Sequence, residues 1–337
     1  MEFELSIIKG KVIHELVHQR MEACVQVVRQ AYLTHHQQQS VNPSSYFLLF
    51  PEKPSSRIIA LPAYLGGDFG VSGIKWIASY PENVKQGFPR ASAVLVLNSY
   101  QTGYPFAFLE SSIISAARTA ASAVLAAEAL QGGRKAARSV GFVGNGLIAR
   151  YLYDFFVGTG WELGEVHLFD SAPGESDRFA QEVVQADRHQ KVETHGELPS
   201  LMKACDVIVF ATVAGAPHVH DPALLAHAPL VLNVSLRDLA PAVILASQNF
   251  VDDVDHCLKA NTSVHLTEQQ VGGRDFLDGT LGDVLTGAAE VDLSRPRVFS
   301  PFGLGVLDLA VGKWIYDRAR ETGQDVRMND FFYELTR

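Results

Sequence analysis

The period of the hydrophobic positions changes several times along the chain. Between residues 137 and 156 an apolar run, "SVGFVG", leads into "LIARYLYDFF", where apolar residues recur at helical spacing. That pattern predicts a buried strand feeding a helix. The alternation continues with "EVHLFD" as strand, "DRFAQEVVQ" as helix, "KVETH" as a short strand and "LPSLMKA" as a short helix. Three more apolar strands are expected in "DVIVFATV" (206–213), "LVLNVSL" (230–236) and "NFVDDV" (249–254). Strand and helix patterns in turn predict a parallel sheet with helices on both faces. Earlier in the chain, "SRIIALPAYLGGDFGVSGIKWIAS", "ASAVLVLN" and "YPFAFLE" are β-rich and broken by Gly/Pro turns. An antiparallel or mixed sheet in a separate domain is expected there. "GVLDLAVGKWIYDRARETG" reads as an amphipathic helix near the C-terminus.

One segment stands out by its lack of charge. "SSIISAARTAASAVLAA" (111–127) carries a single cation, Arg118, among Ala, Ser and Thr. Its apolar content raises the question of a membrane, but Arg118 and the bounding Glu110 and Glu128 favour a helix of a globular domain. On such a helix Ser115, Ala121 and Ser122 lie beside Arg118 and leave space for a ligand. A guanidinium offers a planar, bidentate grip on a carboxylate and keeps its proton.

Composition adds limits. A chain of 337 residues, 47% hydrophobic, is long enough for two domains with full cores. A formal net charge of −9 argues against a nucleic-acid footprint. Cys24, Cys205 and Cys257 are odd in number and widely spaced, which fits free thiols in a reducing cytoplasm. The start, "MEFELSIIKGKVIHEL", lacks the apolar core of a signal peptide.

The strongest local chemistry lies at Gly144-Asn145-Gly146-Leu147-Ile148-Ala149, a G-x-G-x-x-A between the strand and helix described first. The first glycine permits a tight turn, and the second lets a pyrophosphate approach the N–H groups of the helix start. The alanine keeps helix and strand close. Asp170, 26 positions after Gly144, ends the next strand. An acid there accepts hydrogen bonds from a ribose 2′-OH and repels a 2′-phosphate, so NAD is favoured over NADP. A surface acid in the "DSAPGES" turn is the plainer alternative. Thr212, Val213, Asn233, Ser235 and Asp238 follow strand ends and are pocket candidates by position. His218 and His220, in "PHVH", read as incidental loop histidines, and no metal site is expected.

Five blocks then carry a resemblance: "GIKWI" (73–77), "TGYPFAFLESSIISAARTAA" (102–121), "GFVGNGLIA" (141–149), "LGDVLTG" (281–287) and "FSPFGLGVLDLA" (299–310). Over essentially its full length the chain resembles the ornithine cyclodeaminase/μ-crystallin family. The stretches "SRIIALPAYLGG", "SGIKWIASYPEN" and "RASAVLVLN" are similar to the branch of NAD-dependent dehydrogenases that make L-2,3-diaminopropionate for siderophores and peptide antibiotics. The resemblance implies an α/β fold. In it a Rossmann-type NAD domain (128–305) is inserted into a discontinuous α+β domain (1–127 and 306–337) for substrate binding and homodimerisation. It implies a small amino-acid conjugate as substrate, with three carboxylates, and neither nucleic acid nor membrane as partner.

The same resemblance assigns roles. Arg118 matches the arginine gripping the substrate α-carboxylate beside the nicotinamide, and Lys75 the lysine near the reacting carbon. A lysine in an apolar strand is costly unless paired, although an outward-facing side chain would also suit that pattern. Arg57 and Arg90 add positive charge suited to a tricarboxylate, with an isolated surface arginine as the alternative for each. Asp238 matches the catalytic acid and would also serve as a helix cap. Arg237 stands where cyclodeaminases are glycine-rich, which argues against ornithine cyclisation.

Overall fold

The computed structural model describes residues 4–333. It divides into two compact units. One runs to Arg118 and resumes at Leu304; the other is Thr119–Gly303. The expected second boundary, 305/306, lies close by, but the first, 127/128, does not. The division falls inside one continuous helix, Ser112–Leu130, so no loop marks it in the sequence. That helix is long and apolar enough to cross a membrane, yet 67% of its most apolar stretch is buried in protein, as in a core helix.

The first unit is built on a mixed sheet. Its strands run in the order Val326–Met328, Leu5–Ile8, Pro105–Glu110, Ala91–Ser99, Val71–Ser79, Lys53–Leu65 and Ser40–Val41, with Tyr46–Phe50 also paired to Lys53–Leu65. The long central strands are antiparallel, and Leu5–Ile8 runs parallel to Pro105–Glu110. Alternation along the strand sets the faces. Val71, Lys75 and Ser79 are buried, while Trp76 is exposed. The register places Lys75 between Leu61 and Leu95.

Over the buried face lies the helix Gly305–Glu321. A Cβ on Gly312 would sit 2.2 Å from Leu95 Cδ2, so the glycine sets this close approach. The helix is amphipathic only in its second half. Every residue from Gly305 to Gly312 is buried, because the sheet lies against one side and the helix Met21–His36 against the other. Gly10–Gln19 and Met21–His36 are helices that precede the segments read from sequence as β-rich.

The second unit holds a wholly parallel sheet in the order Lys191–Thr194, Glu162–Phe169, Ala136–Val143, Val207–Phe210, Leu230–Asn233, Arg297–Ser300, Gln248–Val251 and Gly279–Thr280. Chain order reverses between Ala136–Val143 and Val207–Phe210, the kind of switch point at which such sheets open a crevice. The last three of the expected strands end earlier than their apolar runs, at Phe210, Asn233 and Val251. The helix read from "DRFAQEVVQ" stops at Glu182.

Candidate active site

In the first unit, a buried ion cluster surrounds Asp308. Its carboxylate is fully buried. Lys75 Nζ donates to Oδ2 at 2.7 Å and to Ser115 Oγ at 3.2 Å, while Arg118 Nε donates to Oδ1 at 3.3 Å. Two cations thus share one anion, and Lys75 itself is only 2% exposed. Burial pushes the Lys75 ammonium down to about 8; Asp308 resists this and Arg118 adds to it. The cluster keeps surplus positive charge in a dry place, and Arg118, 12% exposed, is its outlet. Only Nε of Arg118 meets Asp308 here, so the chemistry of a terminal fork remains for a carboxylate ligand.

Asp308 was not singled out from the sequence, although "GLGVLDLA" shows the same signal as Arg118: one charge in an apolar helix. Arg57 and Arg90 do not join the cluster. Both are exposed. Arg57 pairs across the sheet with Ser79, on the face of Lys75 but four residues further along, about 13 Å at strand rise. Arg90 precedes the Ala91 strand. Crowding by protein atoms and the like charge of Arg57 lower its pKa.

In the second unit, the glycine-rich turn forms as expected. Gly144 has φ +85°, and a Cβ there would meet Ala211 O at 2.8 Å, so only glycine fits. Around the position of a Cβ on Gly146 no atom lies within 4 Å, which leaves the start of the helix Leu147–Gly158 open to approach. Asp170 Oδ2 accepts from Asn145 N at 2.7 Å and Oδ1 from Ala172 N at 2.8 Å, so the acid braces the turn as well as standing at its mouth. Asn145 is buried, its Oδ1 accepting from Ser176 Oγ at 2.8 Å. A cavity of about 600 Å³ lies here, walled by Gly144, Gly146, Asp170, Thr212, Val213 and His218 among others.

Leu147, at 62% exposed, and Ile148 begin the helix and do not line that cavity. Asn233 is fully buried. Its Nδ2 is 3.4 Å from Ser300 Oγ, and its Oδ1 has no hydrogen-bond partner. Ser235 donates to Asp238 Oδ2 at 2.5 Å.

Asp238 is not a helix cap: the helix Pro241–Leu245 is capped by Ala240 without a side-chain bond. Its carboxylate is fully buried and receives Thr212 Oγ1 at 2.5 Å and His218 Nε2 at 2.9 Å. His218 therefore carries this carboxylate's influence to the cavity wall. With Nε2–H directed at Asp238, Nδ1 holds the acceptor lone pair. The sequence reading had set His218 aside; only the fold shows the acid behind it. Arg237 binds Ala260 O through Nε and Nη2, anchoring the loop.

The model of the ornithine cyclodeaminase/mu-crystallin family matches residues 11–323. The chain is 27% identical over 313 residues to the N-((2S)-2-amino-2-carboxyethyl)-L-glutamate dehydrogenase of Staphylococcus aureus (strain NCTC 8325 / PS 47), covering 90% of this chain and 92% of that one. Its fold is similar to that of Thermococcus litoralis Δ1-pyrroline-2-carboxylate reductase, solved with NADH and L-proline. The TM-score is 0.86 at 22% identity, over 96% of this chain and 99% of that one. It is also similar to an archaeal alanine dehydrogenase dimer with bound NAD, with a TM-score of 0.85 at 23% identity over 98% and 100% of the two chains. The chain belongs to the ornithine cyclodeaminase/μ-crystallin family.

Proposed function

We propose that this protein is an NAD-dependent dehydrogenase that oxidises the CH–NH bond of N-(2-amino-2-carboxyethyl)-L-glutamate, releasing L-2,3-diaminopropionate, 2-oxoglutarate and NADH. The broader class, an amino-acid dehydrogenase or reductase using a nicotinamide cofactor, rests on the family match and on relatives that are such enzymes. The observation that carries the reading is the buried cluster with two cations on one carboxylate. It is a site short of one negative charge, as a carboxylate-bearing substrate requires.

Arg118 would clamp the α-carboxylate, with Asp308 fixing its guanidinium through Nε. Lys75, held near pH 8, is poised to give or take a proton as water adds to the imine and diaminopropionate leaves. Arg57, on the same sheet face about 13 Å along the strand direction, would meet a distal carboxylate of a long substrate, with Arg90 beside it.

NAD, when bound, supplies the hydride acceptor. Gly144 and Gly146 would admit its pyrophosphate, Asp170 its ribose, and Thr212 and Val213 border the same cavity. Asp238 acts as a positioning residue, holding His218 at the wall.

A homodimer completes the reading. On the outer face of the first unit's sheet, Ile74, Trp76, Val94, Val96 and Phe108 lie on adjoining strands. Trp76 is 42% and Phe108 39% exposed, leaving an apolar surface that a second copy would cover. The archaeal alanine dehydrogenase is itself a dimer.

The test is NADH formation with NAD and the conjugate, run beside L-ornithine and L-alanine. NADH from the conjugate alone, with 2-oxoglutarate and diaminopropionate in equal amounts, supports the proposal. NADH from alanine would instead favour an alanine-type dehydrogenase, in which Arg57 and Arg90 have no substrate role.

A further inference from the structure

The edge of the parallel sheet carries a side-chain group that the proposed reaction does not use. Glu165 and His167 lie on Glu162–Phe169, and their neighbours in register on Lys191–Thr194 are Lys191 and Glu193. Strand alternation sends all four side chains to one face. His195 follows the edge strand and meets the same group. His167 Nδ1 and His195 Nε2 are 2.8 Å apart. Glu193 Oε2 is 3.5 Å from the first and 3.8 Å from the second.

We propose that His167, Glu193 and His195 bind one divalent transition-metal ion, with zinc the best fit, independently of the dehydrogenase reading. A point equidistant from three atoms separated by 2.8, 3.5 and 3.8 Å lies about 2.0 Å from each, and zinc bonds to imidazole nitrogen and carboxylate oxygen are roughly 2.0–2.2 Å. The three donors therefore already surround a metal-sized centre, with a fourth position left for water.

The outer nitrogens are braced in the manner of metal-bound imidazoles. His167 Nε2 is 3.1 Å from Glu165 Oε2, and His195 Nδ1 is 3.0 Å from Ser200 Oγ. A His167 that donates its Nε2–H to Glu165 presents the bare Nδ1 lone pair inward. Without metal, Lys191 Nζ takes Glu193 Oε2 at 2.6 Å. Lys191 is 52% exposed and has room to leave when a metal arrives.

The ion would tie a four-residue edge strand, paired on one side only, to its neighbour. Asp170, in the cavity wall, lies three residues beyond His167, and Leu198, also in that wall, shares the helix of Ser200. Zinc would thus stiffen one side of the nucleotide cavity.

The experiment uses the full chain, stripped with chelator and titrated with zinc chloride against a chromophoric competitor. One zinc per chain is expected. Glu193→Gln and His195→Ala should each weaken it at least about tenfold, Glu165→Gln by roughly 10- to 100-fold, and Lys191→Met should tighten it. Cobalt(II) in place of zinc should give the intense visible bands of a four-coordinate site, and Glu193→Gln should abolish them. Glu193 is surface-accessible, so that variant folds even if His195→Ala does not. No stoichiometric zinc, or zinc held equally by Glu193→Gln, would overturn the proposal. Equal retention would place the ion elsewhere, for example at the adjacent rings of His14 and His18.

Discussion

Replacing Asp308 by Asn removes the one carboxylate that Lys75 and Arg118 share, at 2.7 and 3.3 Å. The side chain keeps its size and loses its charge, so packing is nearly constant. Lys75 has an escape: it sheds its proton. From a starting value of about 8, neutralisation at pH 7 costs about 1 kcal/mol beyond what the fold already bears. Arg118 has no such escape, because a guanidinium stays charged, and losing a hydrogen bond to a buried charge costs roughly 1.5–3 kcal/mol. The two together come to about 2.5–4 kcal/mol, which overlaps the range of 3–5 kcal/mol typical of a broken buried ion pair.

The assay is urea unfolding at pH 7, read by tryptophan fluorescence. Trp76 and Trp314 belong to the first unit and Trp161 to the second, so a Trp161→Phe background reports the unit that contains the change. Adding Lys75→Met to Asp308→Asn should recover part of the loss, since an apolar side chain of similar length suits the vacated site. A loss under about 1 kcal/mol for the single variant, or no recovery in the double variant, would refute the view that this cluster is a dry, charge-coupled unit.

Lys75 also sets a pH dependence. Its folded value, about 8, lies below the ordinary lysine value of 10.5, so between those pH values the unfolded chain binds more protons and stability rises with pH. The gain is roughly 3 kcal/mol at most, and Lys75→Met should flatten the curve. Binding of a carboxylate ligand should run the other way, weakening as pH passes 8 and the ammonium loses its charge, which the pH profile of kcat/KM would show. Gly144→Ala forces a left-handed backbone on alanine and a Cβ to 2.8 Å from Ala211 O. It should cost about 1–3 kcal/mol of stability and most of the NADH affinity measured by fluorescence titration. Trp76→Glu, in the middle of the exposed apolar face, should lower the mass in light scattering from that of the proposed dimer to that of a monomer; an unchanged mass would refute this face as the interface.

Local patterns and contiguous motifs reveal much of this protein. The apolar runs of the second unit predict its alternation of strands and helices. The spacing of Gly144, Gly146 and Ala149 announces a turn whose tightness is backbone geometry within six residues. Arg118 and Lys75 stand out because isolated charges in apolar segments demand partners. Which partners they find depends on tertiary structure alone. Asp308 lies 233 residues from Lys75 and 190 from Arg118, joined to them only when its helix packs on the sheet.

The same holds for His218. As a loop residue it looked incidental until the fold set buried Asp238 behind it. Arg57 and Arg90 show the reverse, because cations counted together in the sequence are parted from Lys75 by strand register. The His167, Glu193 and His195 group has no compact ligand motif, since its spacing follows from a parallel pairing across an intervening helix. Periodicity is a property of neighbouring residues and survives in one dimension. Charge neutralisation and metal-sized geometry are properties of distances, which exist only once the chain has folded.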